Sequence, residues 1–239
     1  MIEKKIDNYK LFIFKNKIEL SDYFSKYIQE EIKHTLKNKE RYQFSVCGGS
    51  TPKLIYQRIS TLNLPWHKVD IFLGDERYVD TNSSESNTLM IKNCLLQNHA
   101  SKAYFYEIFK DKEFNNELSK KLFTKKLMEK CPGDPPKFDL TLLGLGDDGH
   151  TASLFPYMEF DDNELVINSF GKGLKRISLT PKIISSSSKI VFIVTGSSKN
   201  LALKRLIDKN ESSQRTPAKL INSKSEIFIF TDPEASDQL

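Results

Sequence analysis

The chain has 239 residues, and its 36 Lys plus Arg against 31 Asp plus Glu leave a formal charge of +5. With 38% AVILMFWYC and 16 Phe it is not a disordered composition, and 10 Gly with 9 Pro exclude a collagen-like or linker protein. The apolar runs fall far short of the roughly 18 residues that span a bilayer, no apolar signal core opens the chain, and the three cysteines match neither zinc nor redox spacing. A reduced, cytoplasmic chain without membrane contact is the expectation.

The elements alternate. After a short apolar stretch at 11–14, Leu20, Phe24, Ile28, Ile32 and Leu36 recur every four residues, a helical stripe that Ser21 or Asp22 could cap. A strand at 42–47 runs into Gly48-Gly49-Ser50-Thr51-Pro52 and a helix through about Ser60, with Pro52 suited to the first helical turn. A strand at 69–73 ends in Gly74-Asp75-Glu76-Arg77. A helix is predicted at 87–96 and a short strand at 103–108. Phe114, Leu118, Leu122 and Leu127 mark a further helix, closed by the turn-rich 131–136. The nearly continuous apolar run at 138–143 reads as a buried parallel strand leading into Gly144-Leu145-Gly146-Asp147-Asp148-Gly149-His150. Later strands are expected at 176–179, 190–195 and 226–230, with a helix over 199–207. This order predicts one α/β domain over 1–239, a mostly parallel sheet with helices on both faces.

The excess positive charge is scattered. Its densest cluster, Lys120, Lys121, Lys125, Lys126 and Lys130, lies on one helix and reads as a solvated face rather than a nucleic-acid stripe. A monomer with no nucleic-acid partner is expected.

Ligands of open α/β sheets collect beyond the carboxyl ends of the strands, and four polar segments follow predicted strands here: 48–52, 74–77, 144–150 and 195–199. Gly48 and Gly49 allow close backbone approach, Ser50 and Thr51 add hydroxyls, and the following helix presents free N–H groups, a combination suited to phosphate. The segment is neither a Walker loop nor a dinucleotide fingerprint. Asp148, two residues before His150, can fix one imidazole tautomer and strengthen it as a base. Asp75 and Arg77 put a carboxylate and a guanidinium at one strand end. Lys199 and Arg176 are further candidate cations. His34, His67 and His99 lack such settings and read as structural. No Gly-x-Ser-x-Gly elbow points to a serine acyl-enzyme, and the dispersed histidines and cysteines do not point to a metal site.

In this order the segments Gly48-Gly-Ser-Thr-Pro52, Gly74-Asp-Glu-Arg77 with Ser86-Asn87, the stretch 138–156, Arg176-Ile-Ser-Leu-Thr180 and Thr195-Gly-Ser-Ser-Lys199 resemble the 6-phosphogluconolactonases, over about residues 42–220. The resemblance implies a Rossmann-like fold shared with glucosamine-6-phosphate deaminases and ribose-5-phosphate isomerases. It implies hydrolysis of 6-phospho-D-glucono-1,5-lactone to 6-phosphogluconate with no metal or other cofactor. It makes His150 the catalytic base and Asp148 its orienting partner. Arg77, Arg176, Lys199 and the loop Gly48, Gly49, Ser50 and Thr51 would hold the substrate's phosphate or polar groups, with the phosphate-holding cation left open. Asp75 is either a second acid/base or a ligand of a substrate hydroxyl. The alternatives are an amino-sugar phosphate deaminase/isomerase and a non-catalytic sugar-phosphate binder. The deaminases carry a glutamate five residues after the histidine, where this chain has Phe155, and a tyrosine where it has Arg77, which favours the lactonase.

Overall fold

The computed structural model describes residues 1–109, 115–223 and 226–239. The apolar stretch at 11–14 belongs to an edge hairpin of β1 (Ile2–Ile6) and β2 (Tyr9–Ile13). β1 escapes sequence reading because Ile2, Glu3, Lys4 and Lys5 are all exposed and show no alternation. Helix α1 (Lys17–Thr35) is capped by Asn16, whose Oδ1 accepts from the N–H groups of Ile18 and Glu19 at 3.0 Å each. Ser21 and Asp22, the expected caps, lie inside the helix. Ser21 donates back to the Lys17 carbonyl at 2.7 Å, and Asp22 pairs with Arg58. The stripe of Leu20, Phe24, Ile28 and Ile32 is buried as its spacing requires, each side chain contributing about 1.5–3 kcal/mol.

β3 (Tyr42–Val46), α2 (Lys53–Ser60) and β4 (Val69–Leu73) follow. At Gly74 the chain changes sheet: its N–H donates to the Val46 carbonyl at 2.9 Å, and its own carbonyl accepts from Leu179 at 2.9 Å. The segment Asp75–Arg77 is therefore a strand, β5, where the sequence predicts only a polar loop. Next come α3 (Asn87–Cys94), β6 (Tyr104–Tyr106) and α4 (Asn116–Lys130). Phe114, expected in the stripe of α4, lies outside the described residues. The chain continues through β7 (Leu140–Gly144), β8 (Val166–Gly171), β9 (Leu174–Leu179), α5 (Pro181–Ser185), β10 (Ile190–Val194), α6 (Asn200–Ile207), β11 (Ile227–Thr231) and α7 (Pro233–Ser236).

The described residues form an eight-stranded sheet in the order β1-β2-β11-β10-β7-β3-β4-β6, parallel throughout except for β1. β3, β4 and β10 are buried along their whole length, as in a sheet covered on both faces. The strand expected at 176–179 does not join it. It is part of β9, which pairs antiparallel with β5 and β8 in a three-stranded sheet. The reason is local: Lys172 and Gly173, at φ of +50° and +78°, make a two-residue hairpin turn that returns β9 beside β8.

In the large sheet β3 is followed by β4 on one side, and β7 then lies on the other. A crevice opens where strand order reverses, beyond the carboxyl ends of β3 and β7. The described residues contain no helix long and apolar enough to cross a membrane.

Candidate active site

The crevice is a cleft whose walls include Gly48, Gly49, Ser50 and Thr51 after β3, Asp75 and Arg77 on β5, His150 after β7, Arg176 on β9 and Lys199 after β10. Every sequence-predicted site residue except Asp148 thus faces one space, and Asp148 reaches it through His150. Asp148 Oδ1 lies 2.5 Å from His150 Nδ1 and also accepts the His150 backbone N–H at 3.1 Å. Partial burial pushes the Asp148 carboxyl upward, but the hydrogen bond and charge of His150 outweigh it and hold the group well below the ordinary carboxylate range. An ionised Asp148 can only accept, so Nδ1 carries the hydrogen, and the neutral form of the imidazole keeps its lone pair on Nε2.

The turn that delivers His150 is tightly tied. The Gly146 N–H donates to the His150 carbonyl at 2.7 Å, and the Thr151 hydroxyl donates to the Gly144 carbonyl at 2.8 Å. Ala152 adopts a φ of +47°, a costly conformation for a residue with a Cβ and a form of strain concentrated at functional sites.

On the β3 side, the N–H groups of residues 48–51 make no hydrogen bond among the described residues and remain available at the start of α2. Behind them Tyr56 Oη accepts from the Cys47 N–H at 3.1 Å and donates to the Cys47 carbonyl at 2.8 Å, pinning the strand end. Cys47 lines the cleft, and burial pushes its thiol up to about 12, which favours the thiol over the thiolate.

The cations are arranged in an unusual way. Arg77 and Arg176 are direct cross-strand neighbours in the β5–β9 pair, where like charges repel. Burial pulls the Arg176 pKa down; Asp75 opposes this and the Arg77 charge adds to it. Arg77 is engaged by Glu85, whose carboxylate is 2.6 Å from Nη1. Burial also pulls the half-buried Lys199 down, while the acidic neighbour Asp147 is held by Lys172 at 2.8 Å. Arg77, Arg176 and Lys199 converge on the one cleft, and three cations on its walls favour an anionic guest.

Asp75 is buried and well partnered. Ser153 Oγ donates to its Oδ2 at 2.5 Å, Asn87 Nδ2 lies 3.3 Å from Oδ1, and Arg176 Nη1 is 3.9 Å from Oδ2. Ser153 and Asn87 are the site-supporting residues that sequence reading did not assign. Each is visible only as a member of a matched segment, Asn87 in Ser86-Asn87 and Ser153 in 138–156. Glu76, between Asp75 and Arg77, points away from the cleft and serves the backbone, accepting the N–H groups of Arg77, Asn87 and Thr88 at 2.8, 2.9 and 2.7 Å. Glu76→Gln aims an amide at those donors. It is expected to destabilise the fold by about 1–3 kcal/mol, read as a lower midpoint in urea denaturation with an unchanged m-value.

Asp147, Asp148 and His150 are the group among the described residues whose ligand atoms gather within 4.8 Å. Asp148 Oδ1 and His150 Nδ1 are engaged with each other, and Asp147 Oδ1 is held by Lys172.

A family model described as glucosamine-6-phosphate isomerases/6-phosphogluconolactonase matches residues 15–229. The chain belongs to this family. It is 32% identical over 209 residues to a 6-phosphogluconolactonase of a Nostoc species, covering 85% of this chain and 87% of that protein. A Synechocystis 6-phosphogluconolactonase is 32% identical over 207 residues, covering 82% and 83% of the two chains. The crystal structure of a 6-phosphogluconolactonase from Shewanella baltica superposes with a TM-score of 0.85 at 25% identity, over 93% of this chain and 97% of that one. The Rossmann-like α/β fold expected from the resemblance is therefore the family's fold, and the small antiparallel sheet is an addition that the order of elements did not foretell.

Proposed function

We propose that this chain is a 6-phosphogluconolactonase, hydrolysing 6-phospho-D-glucono-1,5-lactone to 6-phosphogluconate. The observation that carries the reading is the His150–Asp148 pair at 2.5 Å, opening onto the same cleft as Arg77, Arg176 and Lys199. Family membership and the identity to curated lactonases support it.

In this mechanism His150 Nε2 takes a proton from water as the water oxygen attacks C1 of the lactone. The carbonyl electrons move onto oxygen, and a cation or a free N–H of the 48–51 loop stabilises that oxyanion. Collapse breaks the bond between C1 and the ring oxygen, and the imidazolium returns the proton to the departing alkoxide. Asp148 holds the tautomer and stabilises the transient imidazolium. Asp75 acts by fixing the Arg176 guanidinium and the Asn87 amide, with Ser153 donating to it. Arg77, Arg176, Lys199 and the loop of Gly48, Gly49, Ser50 and Thr51 bind the phosphate and sugar hydroxyls. The strand ends of the large sheet and β5 and β9 of the small one supply these groups to a single cleft, so we take residues 1–239 as one domain that works as a monomer, on a small sugar phosphate and without a cofactor. The deaminase alternative has less support: beside the imidazole stands the ring of Phe155 at 4.7 Å, where that chemistry calls for a carboxylate.

The test uses lactone generated in situ from glucose 6-phosphate, with product followed by a downstream dehydrogenase and spontaneous opening subtracted. Turnover far above buffer is expected; a rate equal to buffer refutes the proposal. Within the same assay, Lys199→Ala is expected to raise KM by about 10-fold or more with kcat nearly unchanged, since a charge-assisted hydrogen bond is worth about 1.5–3 kcal/mol. Unphosphorylated glucono-1,5-lactone, which lacks the anion, should not distinguish the variant from wild type.

A further inference from the structure

Phe155 is 8% exposed and touches three parts of the site at once. Its ring lies 4.7 Å from the His150 ring, tilted by 34°. The Arg176 guanidinium stands 5.2 Å from the same ring, at cation–π distance. The ring is seated on Gly171, where an added Cβ would come within 2.2 Å of it, and the Gly171 carbonyl accepts from Arg176 Nε at 3.2 Å. Gly171 is at the end of β8 with no left-handed φ, so its missing side chain serves the ring and not the backbone.

We infer that Phe155 is a positioning residue: its ring is the common wall that holds the His150 imidazole and the Arg176 guanidinium in fixed relation across the cleft. This rests on the lactonase reading for its kinetic consequence. Asp148 fixes His150 at Nδ1 but leaves the imidazole plane free to swing about that hydrogen bond, and the Phe155 face removes this freedom. The same ring gives the buried guanidinium a partner that, with Nε held by the Gly171 carbonyl, leaves its terminal N–H groups free for substrate. An apolar wall also bars water from that side of the imidazole, so proton exchange is confined to the cleft.

Two variants test it. Phe155→Leu removes the ring, whereas Gly171→Ala keeps the ring and pushes it off its seat with one methyl group. Both are expected to lower kcat by about 10- to 100-fold with KM changed little, the effect of displacing a reacting group by about an ångström. Both should shift the pH profile of kcat. In NMR titrations, the imidazole C–H resonance absent from His150→Ala should lose its aromatic ring-current shift in Phe155→Leu and move in Gly171→Ala. A folded Phe155→Leu protein with wild-type kcat, pH profile and imidazole resonance overturns the inference, as does a lowered Tm with the other readouts unmoved. If Phe155→Leu fails to fold, Gly171→Ala decides by the same criteria. An active wild type with unaffected variants refutes the positioning role alone. An inactive wild type refutes the lactonase reading, and the resonance still decides whether the ring holds the imidazole.

Discussion

His150→Ala is expected to lower kcat for lactone hydrolysis by about 10²–10⁴-fold, the usual contribution of a positioned general base. Affinity for 6-phosphogluconate should change by no more than about three-fold, because the phosphate-side cations and the 48–51 loop lie on other strands and are not touched by the substitution. The imidazole is 18% exposed, so its loss leaves a pocket bounded by Asp148 and the Phe155 ring. Imidazole added to the buffer can occupy that space, and partial recovery of kcat with increasing imidazole is the expected result. Removing His150 also removes the hydrogen bond and charge that lower the Asp148 carboxyl, so Asp148 should titrate closer to the ordinary carboxylate range in the variant. Comparison of single-turnover rates with product affinity by calorimetry decides the matter. Equal losses of binding and turnover would assign His150 a structural part and remove the proposed base.

Gly146→Ala should be nearly as damaging, although it changes no chemical group. A Cβ at Gly146 would lie 2.0 Å from His150 Nδ1, 2.2 Å from Cε1 and 2.7 Å from Asp148 Oδ1. The atoms that must yield are the side chains of His150 and Asp148, so the 2.5 Å contact between them breaks. A misplaced imidazole costs about 10²-fold in kcat. Stability should fall far less than activity, because side-chain ends can swing into the open cleft without moving β7. Kinetics beside thermal unfolding of the same preparation gives the check. A Gly146→Ala protein retaining kcat within a factor of about three would mean that turnover does not need the Asp148–His150 geometry. The double variant Gly146→Ala/His150→Ala should be little worse than His150→Ala alone, since both act through one group.

Much of the cleft is legible in the sequence because its parts are local. The glycines and hydroxyls at 48–51, the Asp148-Gly149-His150 turn and the segment ending at Lys199 each follow an apolar run long enough to be a buried strand. In a parallel sheet all such strand ends point the same way, so strand-then-polar segments are bound to converge. The α1 stripe is equally local, and only its cap was misplaced: the apolar period begins at Leu20 while the helix begins at Lys17, behind Asn16.

What pattern could not reveal is what depends on pairing across sequence distance. β5 is three residues long and fully polar, with no alternation to mark it; it is a strand because β9, about a hundred residues on, offers its edge. That pairing sets Arg77 opposite Arg176 and turns Asp75 into a buried acceptor for Ser153 and Asn87. The seat of Phe155 on Gly171, between imidazole and guanidinium, arises in the same way. Sequence by itself determined the α/β class, the end of the sheet where the polar segments gather and the Asp148–His150 pair, because periodicity and short turns are encoded within a few residues. Only the tertiary structure decided which cations face each other, which side chains hydrogen-bond Asp75 and which ring lies against the imidazole, because those contacts exist only after distant strands have set their register.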